Sequence, residues 1–226
     1  MTSMPRRRII CLAGALALAS CFGPRAPQVR SFSLALPRAD LGGTSAHPEA
    51  PVVRVRDLEA APIVDRDLLV VRQSPVELDL RPELRWDERP HRVLANHLAR
   101  SLLARGLASS APRDLGDGRP ALELGGLLEV FEHDRSGGKS VARLALVLQV
   151  KRFEDGQLRA RTHVALEQPC AADPAAAVAA LSSLAGQAAT KALDALDQQG
   201  AFAPTAEVAP RPAKRDVEPP TAGAKE

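Results

Sequence analysis

The stretch Val141-Ala142-Arg143-Leu144-Ala145-Leu146-Val147-Leu148-Gln149-Val150-Lys151-Arg152-Phe153, its turn Glu154-Asp155-Gly156, and the run from Gln157 to Leu166 decide the fold. Leu144, Leu146, Leu148 and Val150 recur at a period of two, as in a strand with one buried face. After the turn, Leu158, Ala160, Thr162, Val164 and Leu166 share one face, with Arg159, Arg161 and His163 opposite. A two-residue Asp155-Gly156 loop would set Leu148 against His163, apolar face against polar face. A three-residue loop, Glu154-Asp155-Gly156, pairs Val150 with Ala160, Leu148 with Thr162 and Leu146 with Val164. Because a slip of one residue turns a whole strand over, the odd loop is expected, with Gly156 left-handed.

Working outward, Asp173-Pro174 supplies a cap and a first-turn proline for a helix reaching about Gln199, stopped by Gly200. Val178, Leu181, Ala185, Ala188, Ala192 and Leu196 form its buried stripe. Upstream, Ala121 to Glu132 reads as a strand interrupted at Gly125-Gly126, where a bulge or a close approach is expected. Asp134 to Gly138 turns the chain. An earlier helix is expected from Asp87, as cap, and Pro90 to the stop at Gly106, with Leu94, Leu98 and Leu102 as its stripe. Before it come four short strands: Arg30 to Leu36, Val52 to Leu58, Leu68 to Arg72 and Val76 to Leu80, with a loop over 37–51. The order predicts an α+β fold, two helices packed on one face of a mostly antiparallel sheet in a single domain. Aromatic residues are scarce, so Trp86 is expected to contribute much of the burial around it.

The first residues carry a different message. Arg6, Arg7 and Arg8 precede an apolar run that ends in Leu18-Ala19-Ser20-Cys21. This is the layout of a secretory signal peptide with a lipobox, and the run is too short to span a bilayer. Residues 1–20 are expected to be cleaved, leaving Cys21 acylated on a tether over 21–30. Phe22, rather than Asp, follows the lipid site and favours the outer membrane. The formal charge of +3 is cancelled by loss of the three leader arginines, so no basic face argues for nucleic acid. Of three cysteines, only Cys170 remains, as a half-buried structural thiol with no disulfide or thiolate metal site open to it. From Ala201 to Glu226 proline, alanine and mixed charge predict a disordered tail. The domain proper is therefore expected over 31–199.

No catalytic motif emerges. Neither His-Glu-x-x-His nor Gly-x-Ser-x-Gly occurs. Gly138-Lys139-Ser140 lacks the opening glycine of a phosphate loop and reads as a hairpin tip. His91 and His97, six apart, lie on different helix faces and make no metal pair. Glu129, Glu132 and Asp134 read as a solvated strand end. No cofactor, metal site or catalytic residue is expected.

Four short motifs, in order, carry a family likeness: Phe32-Ser33-Leu34; Ile63-Val64-Asp65-Arg66 running into Leu68-Leu69-Val70-Val71-Arg72; Arg85-Trp86 ahead of Pro90 and Val93-Leu94-Ala95; and Gln149-Val150-Lys151-Arg152-Phe153. Behind a lipobox, this order resembles the ABC-type transport auxiliary lipoproteins, the PqiC-like proteins that accompany MCE-type lipid transporters. The resemblance implies a non-enzymatic, lipid-anchored accessory on the periplasmic face of the outer membrane. Its implied partners are MCE and ABC transporter components, with phospholipid as cargo. Asp65-Arg66 is then either a turn with a surface ion pair, or a site where Arg66 and Arg72 set a strand edge against a partner. Arg85 opens the first helix in this reading, and Trp86 is either a core anchor or an exposed contact. Two other functions fit the same chain: a hydrophobe-binding module with a groove between the Leu94–Leu102 stripe and the sheet, and a regulator of peptidoglycan synthesis. The tether, at most ~30 Å long when extended, counts against the latter.

Overall fold

The computed structural model describes residues 28–37, 49–114 and 120–203. The strands are β1 (Arg30–Phe32), β2 (Val53–Val55), β3 (Glu59–Ala60), β4 (Leu68–Ser74), β5 (Glu77–Trp86), β6 (Leu122–Asp134), β7 (Val141–Arg152) and β8 (Leu158–Pro169). Two helices, α1 (Pro90–Ala104) and α2 (Pro174–Gln198), complete the domain. The strands form one open sheet in the order β1-β5-β4-β6-β7-β8, with β2 and β3 beside β6. The long pairs β4–β5, β6–β7 and β7–β8 are antiparallel. The short contacts β1–β5, β2–β6, β3–β6 and β4–β6 are parallel. The architecture is α+β, as expected. The expected leader, Cys21, most of the 37–51 loop and residues 204–226 lie outside the described residues.

The β7–β8 register is the expected one, with Val150 opposite Ala160, Leu148 opposite Thr162 and Leu146 opposite Val164. The odd residue is absorbed elsewhere, however. Arg152 N–H donates to the Gln157 carbonyl at 2.8 Å and Gly156 N–H to the Arg152 carbonyl at 3.0 Å, closing an even turn. Arg159 is then bulged, because Lys151 pairs with Leu158 while Val150 pairs with Ala160. Gly156 is left-handed at φ 71°. The bulge carries Leu158 off the core face, and it is 51 % exposed.

A second bulge lies in β6, between Leu128 and Val130, not at the glycines. It reverses the alternation: Leu122, Leu124 and Leu128 face the core before it, Phe131 and His133 after it. Gly125-Gly126 does not interrupt the strand. Gly126 instead admits a close approach, since a Cβ there would collide with the Val147 carbonyl oxygen and stand 2.8 Å from Leu148 Cδ2.

Helix α2 starts as read: Asp173 accepts a hydrogen bond from Ala176 N–H at 2.9 Å, satisfying one of the first-turn donors. Its expected stripe is buried throughout. At its end Gly200 takes φ 70°; Ala201 N–H donates to Leu196 and Gly200 N–H to Asp197, a Schellman stop. Helix α1 stops in the same way at Gly106, with Leu107 N–H on Leu102 and Gly106 N–H on Leu103. Asp87 does not cap α1. Arg89 occupies the cap without a side-chain bond, and Asp87 accepts from Ser33 Oγ and from its neighbour Glu88 N–H.

The core is one cluster between the helices and the sheet. Ala201 and Phe202, placed in the tail by composition, are buried in it. Strand β5 does not end at Leu80, as the sequence pattern predicts, but runs through Trp86. Trp86 is thus a strand residue, buried against Phe131 with ring centroids 5.6 Å apart at 48°.

Candidate functional site

Three of the four motifs meet at one end of the sheet. Phe32 pairs with Trp86 in the β1–β5 register. Trp86 N–H donates to the Asp67 carbonyl at 2.8 Å, and Asp87 N–H to the Phe32 carbonyl at 2.9 Å. These backbone bonds tie the end of β1, the turn before β4, the end of β5 and the start of α1 into a single junction. The turn itself is closed by Val64 and Asp65 N–H groups on the Ala61 carbonyl.

Side chains decorate this junction. Asp65 pairs with Arg89 at 2.8 Å, not with Arg66. Asp67 pairs with Arg85 at 3.0 Å, and Arg85 Nε also donates to the Pro82 carbonyl at 2.8 Å. All four ion-paired groups are roughly half exposed, so each pair contributes about 0–1 kcal/mol; they organise the surface more than they stabilise it. Arg66 is exposed and has no side-chain partner among the described residues. Trp86 lies beneath as the core anchor, the first of the two readings offered by the sequence.

Arg72 is not part of this junction. It lies toward the opposite end of β4, an interior strand between β5 and β6, so it borders no free edge. Its guanidinium makes a two-pronged contact with Glu132, Nε to Oε1 at 2.7 Å and an η nitrogen to Oε2 at 2.9 Å. That hydrogen bond raises the Arg72 pKa against the opposing effect of burial.

The expected solvated strand end is likewise corrected. Glu132 and Asp134 are 5 % and 3 % exposed. The β6 bulge turns both onto the helix-free side of the sheet, where arginines from β4 and β7 close over them. Asp134 lies 2.6 Å from Arg143 and accepts from Ser136 N–H at 2.7 Å. Burial works to raise its pKa, but the Ser136 bonds, Arg143 and Arg72 together hold it below the ordinary carboxylate value. Glu129 faces His163 at 3.3 Å.

One contact had no signal in the sequence beyond the placing of Cys170 after a strand. His133 Nε2 is 2.8 Å from Ser140 Oγ, which is 3.6 Å from Cys170 Sγ. With Cys170 N–H on the Ser140 carbonyl, this trio fastens the β6–β7 turn to the approach to α2. Burial lowers the His133 pKa, assisted by Arg135 and opposed by Asp134 and Asp173, which favours the neutral ring. Among the described residues no group of three His, Cys, Asp or Glu side chains could hold a metal ion, and no helix is long and apolar enough to cross a membrane. The groove expected beside Leu94, Leu98 and Leu102 is filled, because all three are at most 1 % exposed and packed into the core.

Fold and surface together define a small α+β domain with an exposed, ion-paired junction at one end of its sheet. The family model of the ABC-type transport auxiliary lipoprotein component matches residues 32–192, and the chain belongs to that family. Among solved structures it is similar to a DUF330-family protein from Xanthomonas campestris, at 20 % identity and TM-score 0.63, covering 76 % of this chain and 96 % of that one. An uncharacterized protein is similar at 15 % identity and TM-score 0.57, covering 73 % and 96 %. These likenesses carry the fold. No curated protein matches the sequence.

Proposed function

We propose that this chain is an acylated envelope lipoprotein that serves an ABC/MCE-type lipid transporter from the periplasmic face of the outer membrane. Its lipid is carried on Cys21, in the Leu18-Ala19-Ser20-Cys21 lipobox. The observation that carries the reading is the family match over residues 32–192 standing directly behind that lipobox. Two acyl chains hold a protein firmly at a membrane, each buried CH₂ contributing about 0.8 kcal/mol. The domain then docks a transporter component through the junction of Asp65, Arg66, Arg85 and Arg89. There Arg66 offers a guanidinium free to meet an acidic group.

Pull-down of the full chain from native membranes in mild detergent tests the assignment. Recovery of an ABC permease, its ATPase or an MCE-domain protein is expected, with recovery reduced by Arg66→Glu. Failure to recover any of them would sink the transporter partnership. The anchor has its own test: a Cys21→Ser form is expected to leave the membrane fraction, and its retention there would refute acylation.

A further inference from the structure

Among the described residues β8 is the outermost strand on its side of the sheet, and β7 is its only strand partner. Its twelve residues give an unpaired edge about 40 Å long. Edges of that length pair with other strands unless something blunts them.

The direction of its free backbone groups can be read off. Cys170 N–H donates to the Ser140 carbonyl at 3.0 Å, continuing the register in which Pro169 lies opposite Val141. In an antiparallel ladder a residue turns both its N–H and its C=O toward the same neighbour, and the direction alternates. Even-numbered β8 residues therefore bond β7, while Arg161, His163, Ala165 and Glu167 turn their N–H and C=O groups outward. Pro169 also falls on the outward set, where its missing N–H takes nothing from the existing ladder.

We propose that this edge pairs with β8 of a second copy of the chain, antiparallel about a two-fold axis at Val164. In that register Arg161 lies opposite Glu167 of the other copy, twice by symmetry, and His163 lies opposite Ala165. These four outward pairs form about eight backbone hydrogen bonds. Arg161 is exposed with no acidic partner among the described residues, and Glu167, 3.5 Å from Arg143, keeps an oxygen for it. A shift of two residues sets His163 against His163, or Arg161 against Pro169, and separates Arg161 from Glu167. On the helix side Val164 meets Val164 and Thr162 meets Leu166. Val164 and Leu166 face the core yet remain only half-buried, and the second copy would complete their cover. Because α2 lies over both β7 and β8, the two copies of α2 would stand about 10 Å apart, an ordinary helix-packing distance.

Sedimentation of the full chain in detergent, with disulfide trapping, tests this. Val164 would form a non-hydrogen-bonded self-pair with Cα atoms about 4.5 Å apart, within disulfide range. On a Cys170→Ser background, Val164→Cys should cross-link. Thr162→Cys, about 13 Å from its own copy, should not. Ala165→Pro removes only an outward N–H, so it should abolish the dimer while leaving the circular dichroism spectrum unchanged. Arg161→Glu should weaken the dimer about tenfold, and adding Glu167→Arg should restore it. A monomeric wild type, equal cross-linking at 162 and 164, or a dimer that survives Ala165→Pro would each overturn the proposal.

Discussion

Gly126 is the residue at which the packing of this sheet is least forgiving. Its missing side chain lets β7 approach so closely that a methyl group would meet the Val147 carbonyl oxygen, and backbone in mid-sheet has little room to withdraw. Its neighbour Gly125 has no atom within 4 Å of a Cβ built on it. Gly126→Ala is therefore expected to destabilise the domain by about 2–3 kcal/mol, whereas Gly125→Ala should be neutral or slightly stabilising; chemical denaturation of the two variants distinguishes them. Glu132 is exacting for an electrostatic reason. Glu132→Gln strips Arg72 of a two-pronged carboxylate and leaves polar atoms poorly matched, a loss of about 2 kcal/mol. Glu129→Gln, at a half-buried position facing His163, should lose far less in the same measurement.

Among elements, legibility followed the regularity of the local pattern. The β7–β8 register can be derived by parity because the same-face positions Leu144, Leu146, Leu148 and Val150 on one strand and Leu158, Ala160, Thr162, Val164 and Leu166 on the other leave one consistent answer. The place where the odd residue is absorbed cannot, since a bulge at Arg159 and an odd loop give identical pairing beyond it. The far end of β6 is not legible in the sequence, because the Leu128/Val130 bulge reverses which residues face the core and no glycine or proline marks it. That one irregularity turned an apparently solvated Glu132-x-Asp134 into a buried pair. The full length of β5 is hidden by Pro82 and the charges around it, in a strand whose last residue is Trp86. Asp65, Arg66, Arg85 and Trp86 were legible as motifs, but their convergence rests on the parallel β1–β5 contact, which no local spacing encodes. Composition likewise placed Ala201 and Phe202 outside the domain, although they follow the Schellman turn into the core. Phe202→Ala should consequently cost about 3 kcal/mol, and truncation after Gly200 at least as much, read as a fall in melting temperature. If truncation leaves the melting temperature unchanged, Phe202 does not belong to the core.

At the scale of the whole molecule, three buried histidines give the domain a shared acid sensitivity. His91, His97 and His133 are 6 %, 5 % and 1 % exposed. Burial is the largest influence on each and lowers its pKa. For His91 the opposing pull of Asp65 and Asp57 is countered by Arg92 and Arg89, while Arg100 reinforces burial at His97. The Nδ1 atoms of His91 and His97 are buried without a partner, so protonation would add a donor with nothing to accept it. A folded-state pKa below the unfolded value of 6.5 means that the unfolded chain takes up protons first as pH falls. The stabilisation is thus complete above about pH 6.5 and is lost as pH drops toward the folded values, at up to about 1.4 kcal/mol per pH unit for each histidine. Asp134 and Asp79, whose pKa values are also lowered, lose their contribution only below about pH 4, so the two windows do not overlap. Melting temperature should accordingly fall steeply between pH 7 and 5, with a shallower slope in His97→Gln. A flat profile over that interval would mean that the rings protonate in place, and that the core tolerates charge where its packing leaves no room for it.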